Sequence, residues 1–133
     1  MQAIKKIDIK LAAGIVMALL SVIVVFHLLV LSGVIPYNIV WGGRLESAAQ
    51  MYVLETVSLA VILAVILIVA IKGGYIKPFL PPKVVTILLW LLTALFALNT
   101  VGNLFAESTV ETMLFTPITL ISAVLLFRMA IER

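Results

Sequence analysis

LAAGIVMALLSVIVVFHLLVLSG, residues 11–33, carries no acid, lysine or arginine, and its single ionisable side chain is His27. About 20 consecutive apolar residues, rising 1.5 Å each in a helix, cross the hydrocarbon core of a bilayer. The stretch free of acids, lysines and arginines continues to Gly43, well past the roughly 7–15 apolar residues of a cleavable signal. It therefore reads as a retained first span. Gly33 suits the helix end, and Pro36 bars continuation.

Three similar runs follow, at residues 48–71, 83–106 and 109–129. Ser47 with Gln50, and Ser108 with Glu111, have the spacing of capping boxes at the starts of the second and fourth runs. Lys72-Gly73-Gly74 closes the second run, and Pro81-Pro82 opens the third, where a missing amide hydrogen costs least. Pro117 lies within the fourth and should kink it or free a carbonyl near Met113. The expectation is an all-α membrane protein: a four-transmembrane-helix bundle running up-down-up-down with short loops, in one domain over residues 1–133.

Composition agrees. The chain is 65% hydrophobic and 11% charged, against about 45–50% apolar and about 25% charged in soluble domains. A water-soluble fold is excluded. The absence of cysteine removes disulfides and thiolate metal sites, and a single histidine cannot supply a zinc ligand set. No metal or cofactor is expected. The nine basic residues sit beside apolar runs, which points to phospholipid contact and excludes nucleic acid as a partner.

Charge also sets the expected orientation. Lys5, Lys6, Lys10, Lys72, Lys77, Lys83, Arg128 and Arg133 fall on one side, and Arg44 alone on the other. By the positive-inside rule, both termini and the 72–83 loop are cytoplasmic in a multi-pass cell-membrane protein. Tyr37 and Trp41, in the opposite connection, suit the headgroup level.

Polar side chains within spans are costly and mark the bundle interior. The first run offers His27, the second Glu55 and Ser58, and the third Asn99 and Asn103 with Glu107 one turn on. The fourth offers Thr112, Thr116 and Thr119 on one helical face. All lie toward the Arg44 side, so the candidate pocket comprises His27, Arg44, Glu55, Ser58, Asn99, Asn103, Glu107 and Thr116. Glu55 interrupts an otherwise uncharged span, and Arg44 after Gly42-Gly43 could fold over the mouth to pair with it or with Glu107. Glu111 is accounted for by capping and Glu107 by the water surface. An apolar replacement of Glu55 should cost little unless a partner is stranded. Gly14 with Ala18, and Ala60 with Ala64, have small-xxx-small spacing suited to close helix contact or a homodimer.

These residues match no family signature closely enough to assign one. The reading is a membrane protein whose outward-facing polar pocket binds a small molecule or lipid headgroup. Alternatives are a small oligomeric proton- or cation-coupled transporter or channel using Glu55 and His27, and a structural subunit. An enzyme is disfavoured, because no nucleophile–base signature is visible.

Overall fold

The computed structural model describes residues 1–132; Arg133, counted above on the basic side, lies outside them. The described residues contain helices and turns and no strand. Four helices are long and apolar enough to cross a membrane: α2 (Ile9–Leu31), α3 (Ala48–Lys72), α4 (Pro82–Leu104) and Glu111–Ala130. The last opens as a π-helical turn, Glu111–Phe115, and continues as α5 (Thr116–Ala130); a short α1 (Gln2–Lys5) precedes α2. This is the expected four-helix membrane bundle.

The helix ends follow local chemistry. Asp8 caps α2: its carboxylate accepts the Leu11 N–H at 2.9 Å. Helix α2 accordingly starts at Ile9, ahead of the expected residue 11. Ser47 caps α3 through the Gln50 N–H, while the Gln50 side chain accepts from Glu46 N–H, one residue before the usual partner. A Schellman motif ends α3: the Tyr75 N–H donates to Ala70 O, the Gly74 N–H to Ile71 O, and Gly74 sits at φ +74. Pro82 occupies the first turn of α4.

The expected second capping box is not formed. Ser108 offers its carbonyl to the Thr112 N–H, and the Glu111 side chain turns inward instead. The Pro117 disturbance takes the form of the π turn immediately before α5. A π turn holds more residues than an α turn, so it breaks the expected Thr112–Thr116–Thr119 stripe. Thr119 enters the polar core, whereas the enclosed Thr116 hydroxyl finds no partner among the described residues.

Helix α2 buries Ala12, Ala13, Val16, Leu20, Ile23, Phe26 and Val30, a stripe at helical spacing. It packs against α3 and α5, and α5 packs against α4; the neighbours α3 and α4 touch only lightly. Gly73 lies on Ala13 so closely that a Cβ there would come 2.5 Å from the Ala13 Cβ. Ala18, Ala60 and Ala64 are exposed instead, on the outside of the bundle. Val22, Val25, Val53, Leu63, Leu91 and Leu98 form part of an exposed apolar exterior, as lipid contact requires.

At the lysine-rich end, Arg128 is buried and engaged through three nitrogens. Nε donates to Ile7 O (3.0 Å), Nη2 to Lys5 O (3.1 Å) and Nη1 to the Glu132 carboxylate (2.6 Å). Lys72 Nζ donates to Glu132 O, and Tyr75 Oη to Lys10 O. The start of the chain, the α3–α4 connection and the end of α5 therefore share one end of the bundle.

Candidate functional site

At the other end, the connection from α2 to α3 forms a strap of two 3-10 turns, Tyr37–Ile39 and Trp41–Gly43. Trp41, Gly42 and Gly43 all take left-handed backbone, at φ +56, +68 and +75. Glycine adopts this without penalty; a tryptophan pays roughly 1–2 kcal/mol. What holds Trp41 there is its indole N–H, which donates to Glu55 Oε1 at 2.7 Å. The next residue bonds a second acid: the Gly42 N–H donates to Glu111 Oε2 at 2.6 Å. Adjacent strap residues thus tie together carboxylates from α3 and from the π turn.

Glu55 is 1% exposed, and its other oxygen, Oε2, is paired with His27 Nδ1 from α2. The imidazole and the indole between them engage both carboxylate oxygens, which reduces the cost of an acid inside a span. The expected partner was Arg44. Arg44 is exposed beside Gly42, and no carboxylate of a described residue lies within 4 Å of it. It follows three left-handed residues, and its side chain lies along Gly42.

A cleft of about 360 Å³ lies where α3 and α4 part. Val57, Val61 and Ile62 wall it from α3, and Leu95 and Phe96 from α4. His27, Trp41, Glu55 and Glu111 give it a polar end, with Phe26 and Phe115 beside them in edge-to-face contact at 4.7 Å. Ser58 and Asn99 line it, and neither side chain has a hydrogen-bond partner among the described residues. Asn103 also lines it and donates to Thr119 Oγ1 at 3.3 Å, which Thr100 Oγ1 reaches at 3.0 Å.

Of the residues picked from sequence, His27, Glu55, Ser58, Asn99 and Asn103 come together on this cleft. Arg44, Glu107 and Thr116 do not. Glu107 is exposed over Gly43, where a Cβ would come 3.4 Å from its Oε2, and Thr116 is displaced by the π turn. Sequence reading missed Trp41 and Glu111, which it had given to the headgroups and to capping. The Gly-Gly pair after Trp41, and the proline following Glu111 by six residues, were the available signals of unusual backbone. No protein-family model, no curated protein and no solved structure matches the chain, so the chemistry of the cleft is read from these residues themselves.

Proposed function

We propose that the chain holds a small amphiphile in the α3–α4 cleft, with the occupant's polar end against Asn99, Ser58 and the His27–Glu55 pair. The observation that carries this is the unengaged Asn99 amide and Ser58 hydroxyl in a cleft with one polar end and apolar walls. Pockets between bundle helices with a few convergent polar groups are the usual small-molecule sites of such folds. The cleft opens at the level of lipid-facing Val57, Val61 and Leu95, so the occupant reaches it sideways from the bilayer. With the lysine-rich end in the cytoplasm, its polar end faces the outer half of the membrane.

A second reading has its own support. Both oxygens of Glu55 are already engaged, as expected of a cluster that only fixes helix register. Octanol added to protein in phosphatidylcholine nanodiscs separates the two. Binding to the cleft raises the melting temperature saturably, and Leu95→Trp, which fills the wall, abolishes the rise without unfolding the protein. An equal octanol response in Leu95→Trp would favour the register reading.

A further inference from the structure

Given that reading of the cleft, we infer that the polar end of its occupant is a protonated amine. Glu55 has its counter-group in His27; Glu111 has none in contact, Arg44 acting on it only from a distance. Glu111 is 8% exposed and lines the cleft, yet its carboxylate is met only by backbone N–H groups of the strap, with Gly42 donating to Oε2. Beyond the strap's backbone N–H groups, no side chain of the described residues donates to this carboxylate, and no cationic side chain of theirs lies within 4 Å. A carboxylate enclosed in a bundle without a cation lacks what normally offsets its burial. This carboxylate is the acceptor an ammonium group would take, by a charge-assisted hydrogen bond.

The remaining lining fits the same chemistry. Phe26, Trp41 and Phe115 border the polar end, and aromatic faces attract organic cations within about 6 Å. The Asn99 carbonyl and Ser58 hydroxyl offer further acceptors to ammonium protons. A carboxylate or phosphate occupant would meet Glu111 with like charge. The nearest basic candidate, Arg44, is exposed beside Gly42 and does not line the cleft.

Octylamine, octanol and octanoate share a chain length and differ in the charge of one end. Their apparent affinities are measured by melting shift in uncharged phosphatidylcholine nanodiscs. The wild-type chain, Leu95→Trp, Glu111→Gln and Glu107→Gln are compared. Octylamine should bind at least about tenfold more tightly than octanol, the order expected of one charge-assisted bond, and octanoate most weakly. Glu111→Gln keeps an acceptor for Gly42 and should bring octylamine to within about threefold of octanol. Glu107→Gln removes the same charge from the same end, outside the cleft, and should leave the preference intact. Octanol or octanoate binding as tightly as octylamine, with the shift still abolished in Leu95→Trp, overturns the amine assignment and leaves the cleft reading standing. A preference that survives Glu111→Gln overturns the role of Glu111. Shifts equal in Leu95→Trp and wild type for all three probes overturn the cleft reading itself. If Glu111→Gln does not fold, the ranking of the three probes on the wild-type chain still decides the amine assignment.

Discussion

Replacing Glu55 by leucine tests the joint on which the polar end is built. The carboxylate receives the Trp41 indole N–H at 2.7 Å and pairs with His27 Nδ1 while only 1% exposed. Leucine fills similar space but strands both partners. Hydrogen bonds between membrane helices average about 0.6 kcal/mol and reach about 1.7, so losing two costs roughly 1–3 kcal/mol. Part of that returns as Trp41 leaves its left-handed conformation, which costs roughly 1–2 kcal/mol to hold. Glu55→Gln keeps an oxygen for the indole and offers an N–H to the imidazole, so its cost should stay within about 1 kcal/mol. Adding His27→Leu to Glu55→Leu removes both halves of the pair, and a double-mutant cycle should show coupling of about 0.5–2 kcal/mol. Reversible unfolding of the wild type, Glu55→Leu, Glu55→Gln, His27→Leu and the double variant in mixed micelles, followed by far-ultraviolet circular dichroism, supplies the numbers. Glu55→Leu as stable as Glu55→Gln, together with zero coupling to His27, would refute this account of the joint.

Other perturbations bear on other parts of the bundle. Gly73→Ala places a Cβ 2.5 Å from that of Ala13 and should destabilise by roughly 1–3 kcal/mol through overpacking; Gly102→Ala meets nothing within 4 Å and should be neutral or stabilise by up to about 1 kcal/mol. Melting curves of the pair check both. Arg128→Lys cannot serve the Lys5 carbonyl, the Ile7 carbonyl and Glu132 at once, so hydrogen exchange at residues 2–8 should quicken in that variant and not in Lys77→Gln, whose side chain is exposed. Reporters inserted at residues 75–83 should be cytoplasmic and those at 40–47 external; the reverse pattern would overturn the orientation drawn from charge.

The spans were legible because hydropathy acts over twenty residues at a time and tolerates errors at the ends. The polar residues of the cleft were legible for a related reason: an ionisable group inside a span has few cheap places to go, and His27 and Glu55 each had one obvious inward direction. Trp41 and Glu111 were hidden because the usual fates of their residue types are sound defaults. A tryptophan near a helix end normally rests among headgroups, and a glutamate three residues after a serine normally caps. Both residues make contacts beyond those defaults where the backbone leaves its regular path, at the left-handed run 41–43 and the π turn Glu111–Phe115. Arg44 was misplaced for the same reason, since side-chain reach was judged without knowing which way the strap exits.

The grip of Arg128 on the Lys5 and Ile7 carbonyls spans sequence separations of 123 and 121 residues. During synthesis at about 5–20 residues per second, those carbonyls appear about 6–25 s before the guanidinium that will hold them. Through that interval the first helix lies in the bilayer with its leading segment unfastened, while three more helices arrive. The clasp therefore closes only once the fourth helix is in place, so fixation of the leading segment reports that all four helices have assembled.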